Sequence, residues 1–150
     1  MLKIFFMLKD VITIEVVGHI TEYVETLLGI TVAGDRNIYL GETNVIHMQS
    51  DHPKDFKKYG DHITVILSDP DYIRLHKKNG SIEYVKEFLC NDEYVKVAVR
   101  LSGGNRFYAR SLYVLNTERV KFFIENGELK PIQNKTWQYH LLRYNEVVNA

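Results

Sequence analysis

The sequence contains only one cysteine, Cys90, so no disulfide can form within the chain. Disulfide frameworks are typical of small secreted proteins, and Cys/His zinc fingers need more than one cysteine, so neither class fits. A lone cysteine indicates a reducing compartment, and we predict a cytoplasmic protein.

Charge of one sign is not in excess either, since Lys plus Arg and Asp plus Glu each number 19. This balance excludes a protein that holds nucleic acid through the field of the whole molecule, but it allows a local basic patch. With 45% hydrophobic residues and three prolines, the composition is that of a globular protein. A length of 150 residues is common for one domain, and we predict a single domain over residues 1–150.

Long hydrophobic runs are also missing. Residues 1–17 begin with an apolar segment, but Lys9, Asp10 and Glu15 interrupt it before the roughly 20 residues that a membrane-spanning helix requires. No small-residue cleavage site follows, so we predict paired or bent β segments rather than a signal peptide. We expect no membrane partner.

The motifs of several enzyme classes do not occur in the sequence. Neither a GxGxxG nor a GxxxxGK(S/T) glycine loop is present, which excludes the usual nucleotide cofactor sites, and no GxSxG motif offers a serine nucleophile. Cys90 has no neighbouring histidine to activate its thiol. We therefore expect no cofactor.

The first half of the chain alternates short helical and strand-like segments. An amphipathic helix is predicted over residues 20–28, and Gly29 is placed to end it. Pro53 and Gly60 bracket a second short helix. The other predictions are a strand over residues 36–43, a polar loop over 44–53, a buried strand over 62–67 and helical turns over 71–77.

From Ser81 onward the apolar residues repeat every second position. The runs SIEYVKEFL, EYVKVAVRLS and NRFYARSLYVL are strand-like and are joined by CND and SGGN, which predicts an antiparallel meander. A helix capped at Thr117 follows. Residues 135–150 fit either a helix or an edge strand with a tail.

The last hairpin carries two arginines among aromatic and aliphatic residues. If residues 103–105 form its turn, Arg100 pairs with Tyr108 and Ala98 with Arg110. Burial favours this register, because a one-residue slip moves every side chain to the other face. The valines of the first strand then share one face, and the other face forms a polar patch of Lys96, Arg100, Arg106, Tyr108 and Arg110.

Two interpretations of this patch stay open. It is either the solvated side of an antiparallel sheet or a phosphate site, since guanidinium groups present a planar array of donors. In a regular strand Leu112 and Val114 lie on the same side as Arg110. This side is therefore not uniformly polar, and we expect it to be partly covered.

The histidines offer a second source of chemistry. His47, His52 and His62 are close in sequence, but their spacing matches no common metal motif, and we predict no metal site. A histidine in a polar loop is better suited to proton transfer, because imidazole titrates near neutral pH. The remaining histidines are predicted to be structural or surface residues: His19, His76 and His140. A nearby aromatic, Tyr59, is either a packing residue or a phosphate donor.

Five segments resemble the phage-associated nuclease domains grouped with barnase, EndoU, the tRNase colicins and RelE. In chain order they are IYLGETNVIHM, HPKDFKKYG, HITVILSDPDYI, VKVAVRLS and RFYARSLYVL, within residues 36–132. The resemblance implies an α+β fold with N-terminal helical elements packed on a four-stranded antiparallel sheet. It also implies a metal-independent ribonuclease of prophages, mobile elements or toxin systems, with RNA as substrate and an inhibitor or immunity protein as a further partner.

The resemblance also assigns residues to a site. The histidine of the helical region corresponds to His47, with His52 as second candidate, and the late-strand positions correspond to Arg100, Arg110 and Ser111. Arg110 and Ser111 lie on opposite faces of a regular strand, so both can serve one site only at a bulge or a sheet edge. The expected substrate contacts are Arg106, Tyr108, Tyr59 and Lys58.

The implied reaction is attack of the ribose 2′-hydroxyl on the adjacent phosphorus to give a cyclic phosphate. His47 would act as acid or base, and the arginines would stabilise the phosphoryl charge. Two other functions stay open. One is a non-catalytic RNA- or protein-binding domain with the same fold, and the other is a phage structural or accessory protein whose exposed face meets a protein partner.

Overall fold

The computed structural model describes residues 13–132. Its strands are β1 (Ile14–His19), β2 (Asn37–Gly41), β3 (Tyr72–Leu75), β4 (Ile82–Phe88), β5 (Glu93–Leu101), β6 (Phe107–Leu115) and β7 (Lys130–Pro131). Its helices are α1 (Glu22–Leu28), α2 (Glu42–Asp51), α3 (Pro53–Tyr59), α4 (Ile63–Ser68) and α5 (Thr117–Glu125), with a 3-10 turn (Gly60–His62) before α4. The predictions for residues 1–12 and 135–150 lie outside the described residues.

In the described part of the chain, seven strands form one mixed sheet in the order β1-β2-β6-β5-β4-β3-β7. All neighbouring pairs are antiparallel except β2 and β6, which run parallel over a short ladder that joins Tyr39 to Tyr108. Beyond this ladder, α2 and α3 pack along β6. The Asp55 carboxylate of α3 accepts a hydrogen bond from the Val114 N–H of β6 (3.0 Å), which satisfies a backbone donor where β2 no longer pairs.

One face of the sheet carries the main hydrophobic core. Val95, Val97 and Val99 of β5 are fully buried there, so the predicted buried face of this strand is confirmed. Helices α1 to α4 all contribute buried residues to this core. The opposite face is covered at one end by α5, where a smaller cluster forms from Val85, Val120 and Leu129.

The predicted α+β class is confirmed, but the predicted architecture is not matched. The resemblance implied four antiparallel strands behind N-terminal helical elements, whereas the sheet within residues 13–132 has seven strands, is mixed and includes two strands from the N-terminal part. The parallel pairing of β2 with β6 joins segments far apart in the chain. Local patterns of hydrophobicity do not show which distant strands will pair.

Several elements are confirmed, but helix α2 was predicted as a loop. The helices near residues 20–28, 53–59 and 117–125 and the three strands from Ser81 onward occur as predicted. Residues 44–53 were predicted to form a polar loop, but α2 spans most of this segment. Val45 and Met48 are buried on one side of α2, but Ile46 is exposed and the remaining positions are polar, which hid the amphipathic pattern.

Two further local predictions are wrong. The segment predicted as a buried strand forms α4, because its buried residues Ile63, Ile66 and Leu67 follow helical spacing, which so short an apolar run does not reveal. The predicted helical turns over residues 71–77 are instead strand β3, which pairs antiparallel with β4. Gly80, in the left-handed region (φ 73°), closes the turn between these two strands.

None of the helices within residues 13–132 is both long enough and apolar enough to span a membrane.

Candidate active site

The turn between β5 and β6 follows the predicted three-residue geometry. Asn105 takes the left-handed conformation (φ 59°), and the Ser102 N–H donates to the Arg106 carbonyl at 2.8 Å. Arg100 pairs with Tyr108, as predicted.

A β-bulge interrupts the ladder two residues beyond Tyr108. Val99 pairs with Ala109, but Ala98 pairs with Ser111 rather than with Arg110. The predicted pairing of Ala98 with Arg110 is therefore wrong, and Arg110 is the extra residue of the bulge.

The bulge changes which residues of β6 face the core. Ala109 and Leu112 are both fully buried although they are three positions apart, a spacing that a regular strand does not place on one face. The assignment of Leu112 and Val114 to the side of Arg110 is therefore wrong, since both pack in the main core. Ser111 instead joins Arg110 on the polar face.

A cleft of about 460 Å³ opens on this polar face beside α2. Four residues that the resemblance assigned to catalysis line it: His47, Arg100, Arg110 and Ser111. The structure thus brings together side chains from one helix and two strands that are distant in sequence.

The spacing of residues along helix α2 places His47 in the cleft. Val45 and Met48 are buried in the core, whereas Asn44, His47 and Asp51 line the cleft. Residues three and four positions apart share one face of a helix, so these three form a single polar stripe. This spacing would have predicted the stripe if residues 42–51 had been recognised as a helix.

A buried ion-pair network forms the wall of the cleft on β4 and β5. The Glu83 carboxylate accepts hydrogen bonds from Lys96 Nζ at 2.8 Å and from Arg74 Nη1 at 2.7 Å. Burial of Glu83 opposes its ionisation, but the Lys96 ammonium and the Arg74 guanidinium outweigh burial and hold the pKa of Glu83 below its usual value. Lys96 Nζ also lies 4.4 Å from the Tyr113 ring.

Arg100 and Arg110 differ from these paired cations. Among residues 13–132, no carboxylate forms an ion pair with either guanidinium. Arg110 is exposed and Arg100 is half-buried. Glu83 already pairs with Lys96 and Arg74. Arg100 and Arg110 therefore present charged donors that can bind an anion in the cleft.

His76 lines the same cleft and was missed, since the sequence placed it among structural or surface residues. Its Nδ1 accepts hydrogen bonds from the backbone N–H groups of Lys78 (3.2 Å) and Asn79 (3.4 Å). In a neutral ring so held, the proton lies on Nε2, which is then a donor. Recognition of β3 and its tight turn to β4 would have placed His76 at the end of a strand beside the site.

Three other predicted site residues lie beside the cleft rather than among its lining residues. The His52 ring stacks on Tyr113, with centroids 4.6 Å apart. The Arg106 guanidinium lies 5.0 Å from the Tyr39 ring, and the Tyr39 and Tyr108 rings are 5.9 Å apart. Arg106 and Tyr108 thus extend the polar face toward β2.

Tyr59 and Lys58, the other two expected substrate contacts, do not line the cleft. Tyr59 is only 1% exposed, packs in the main core and donates its hydroxyl hydrogen to Glu93 at 2.6 Å. The Lys58 ammonium forms an ion pair with the same carboxylate. Of the two alternatives for Tyr59, the packing role agrees with this position.

In the part of the chain that the structure describes, no group of three or more His, Cys, Asp and Glu side chains is arranged to hold a metal ion.

A family model described as phage-Barnase-EndoU-ColicinE5/D-RelE like nuclease3 matches residues 15–121. The matched region includes α2, β5 and β6, which carry His47, Arg100, Arg110 and Ser111. Comparisons with curated proteins and with solved structures found no match.

Proposed function

Since the chain belongs to the phage-Barnase-EndoU-ColicinE5/D-RelE like nuclease3 family, we propose that it is a metal-independent endoribonuclease. One observation carries this proposal: a single cleft is lined by His47, Ser111 and two arginines that have no ion pair among the described residues. These groups can supply proton transfer and stabilise negative charge, which phosphodiester cleavage requires.

In the proposed reaction the ribose 2′-oxygen attacks the adjacent phosphorus. The new oxygen–phosphorus bond forms as the bond from phosphorus to the 5′-oxygen breaks, which leaves a 2′,3′-cyclic phosphate and a 5′-hydroxyl. His47 is the proposed proton-transfer residue, as the base that takes the 2′-hydroxyl proton or as the acid that protonates the 5′-oxygen.

The other groups of the cleft act on the phosphoryl oxygens, where negative charge grows during attack. Arg100 and Arg110 are the proposed charged donors, and the Ser111 hydroxyl and His76 Nε2–H are neutral donors beside them. Loss of one such preorganised donor commonly slows an enzyme by about 10²–10³-fold. The paired Lys96 and Glu83 keep the wall of the cleft polar and fixed.

The setting of the enzyme is part of the proposal. We place it in the cytoplasm of a cell that carries a phage or mobile element, where it acts as a toxin-like ribonuclease controlled by an inhibitor or immunity protein. The name of the matched family supports the phage origin. The free, exposed Cys90 suits a reducing compartment.

A short RNA with one cleavage site tests the chemistry. Replacing the single ribose 5′ to the scissile phosphate by 2′-deoxyribose should abolish cleavage there, because the attacking oxygen is gone. The same replacement two positions away should leave cleavage intact. Cleavage at the substituted position with an unchanged rate would overturn the proposed mechanism.

A second candidate function is RNA binding without catalysis. It is favoured by the surface next to the cleft, where Arg106 lies over Tyr39 and Tyr39 lies beside Tyr108. Arginine and aromatic side chains together stack on unpaired bases. RNA binding without any cleavage by the wild-type protein, retained in Arg110→Ala, would select this function.

A further inference from the structure

A second cavity, of about 340 Å³, adjoins the cleft on the same face of the sheet. The two share the lining residues His76, Glu83, Lys96 and Tyr113, so a ligand in the cleft can continue into the second cavity. Pockets that hold small ligands range from about 300 Å³ upward. The second cavity therefore has room for roughly one nucleotide unit.

Helix α5 forms the outer wall of this cavity. Arg119 and Phe123 are four positions apart, so they share one face of α5, and the Arg119 guanidinium lies 5.5 Å from the Phe123 ring. The Arg74 guanidinium lies over the same ring at 4.2 Å. An aromatic ring bordered by guanidinium groups suits a nucleobase and its phosphate, because the base can stack and the phosphate can accept hydrogen bonds.

The two arginines of this cavity differ in their ion pairs. Arg74 is paired with Glu83 and Glu128, so its charge is largely compensated. Arg119 is exposed, and within the described part of the chain it forms no ion pair. Arg119 is therefore the better phosphate ligand, and Arg74 holds the wall of the cavity in place.

We propose that this second cavity is a subsite for one nucleotide of an RNA strand whose scissile phosphate occupies the cleft. The base lies against Phe123, and its phosphate is bound by Arg119. This inference rests on the proposed function, since it takes its substrate class from it. It adds a specific prediction, that affinity depends on strand length.

The experiment measures binding of 2′-O-methyl oligonucleotides of increasing length by fluorescence anisotropy, because these strands cannot be cleaved through a 2′-hydroxyl. We expect one added nucleotide to raise the affinity of the wild-type protein by about tenfold, the effect of one stacked base. Arg119→Gln and Phe123→Leu should lose this tenfold step, meaning the rise in affinity that the added nucleotide gives. Arg119 is exposed, so its replacement keeps the fold even if Phe123→Leu does not.

Matched controls come from the same helix. Lys121→Gln and Phe122→Leu change similar side chains outside the cavity, and Phe122 is 61% exposed, so both variants should retain the tenfold step. A wild-type affinity without such a step, or an equal loss in Arg119→Gln and Lys121→Gln, would overturn the subsite. A nucleoside monophosphate that binds as tightly as the longest oligonucleotide would also overturn it, since the site would then serve free nucleotides.

Cleavage of an unmodified RNA is measured separately. A protein that shows the step but does not cleave retains the nucleotide subsite and contradicts the proposed enzyme activity. A protein that cleaves RNA but shows no step has the activity and lacks the subsite.

Discussion

Arg110 and Ser111 are adjacent in sequence, yet both line one cleft, because Arg110 is the extra residue between the Val99 and Ala98 rungs of the β5–β6 ladder. Adjacent residues of a regular strand point to opposite faces. The bulge lets one strand present a cation and a hydroxyl together while Leu112 returns to the core. Bulges beside active sites commonly re-aim side chains in this way.

Deletion of Arg110 should remove the bulge and leave the fold intact. Ala109 would still pair with Val99 and Ser111 with Ala98, so the later residues of β6 would keep their faces. We expect a melting temperature near that of the wild type and a fall in RNA cleavage of about 10²–10³-fold, the effect of losing one charged donor.

Deletion of Ala109 is the matched control. It would move Arg110 into the fully buried position opposite Val99, and burial of an unpaired charge costs several kcal/mol. This variant should unfold at a much lower temperature than the Arg110 deletion. Equal melting temperatures for the two deletions would contradict the assignment of Arg110 to the bulge.

Replacement of the Arg110 side chain tests its charge and shape separately. Arg110→Ala should lower kcat by about 10²–10³-fold. Arg110→Lys should recover only part of the loss, because an ammonium lacks the planar pair of donors that fits a phosphate. Lys121→Ala, which removes a cation outside the cleft, should change kcat little. The measurement is the initial rate of cleavage, with circular dichroism as a check of folding.

The buried network around Glu83 predicts a pH-dependent contribution to stability. The folded-state pKa of Glu83 lies below its usual 4.5, so its stabilising effect is complete above about pH 4.5 and is lost as the pH falls through the folded pKa. Glu83→Gln should lower the free energy of unfolding at pH 7 by about 3–5 kcal/mol, since Lys96 and Arg74 lose their buried partner.

Urea unfolding at several pH values measures this contribution. The difference between wild type and Glu83→Gln should shrink as the pH falls below about 4.5, because Glu83 takes up a proton first in the unfolded chain and only at lower pH in the folded protein. Glu118→Gln, whose side chain is 85% exposed, is the control and should change stability little at either pH. An equal difference at pH 7 and at pH 3 would show that the Glu83 charge does not matter.

Tyr59 provides a test of packing against substrate contact. Tyr59→Phe removes the hydroxyl that donates to Glu93 and accepts from Asn91, so stability should fall by about 1 kcal/mol. Below the melting temperature, kcat/KM should be unchanged, because Tyr59 lies outside the cleft. Lys58→Gln should likewise keep its activity. A large rise in KM for either variant would show that the residue contacts the substrate.

The sequence predicted the fold best where periodicity was long and unambiguous. The alternating run of β5, with Val95, Val97 and Val99, correctly predicted which side of this strand is buried. The segment over residues 63–68 failed because a short apolar run fits both a strand and a helix. The parallel pairing of β2 with β6 depends on contacts across the fold, which no local pattern encodes.

The site was predicted in part for related reasons. The hairpin pattern placed Arg100 and Arg110 on the polar face. A shared site for Arg110 and Ser111 required a bulge or a sheet edge, but the sequence did not show that a bulge forms. The sequence signal for a bulge was the spacing of the apolar residues Ala109 and Leu112. Both are buried although they are three positions apart, which a regular strand does not allow. His76 was missed because its strand was predicted as helical turns.

The most direct test of the central claim is incubation of the protein with total RNA in EDTA, followed by mapping of the ends produced. The wild-type protein should generate 2′,3′-cyclic phosphate and 5′-hydroxyl ends. His47→Ala and Arg110→Ala should reduce them by about 10²-fold or more, and His19→Ala, outside the cleft, should not. Cleavage abolished by EDTA, or wild-type rates in both cleft variants, would contradict a metal-independent ribonuclease site in this cleft.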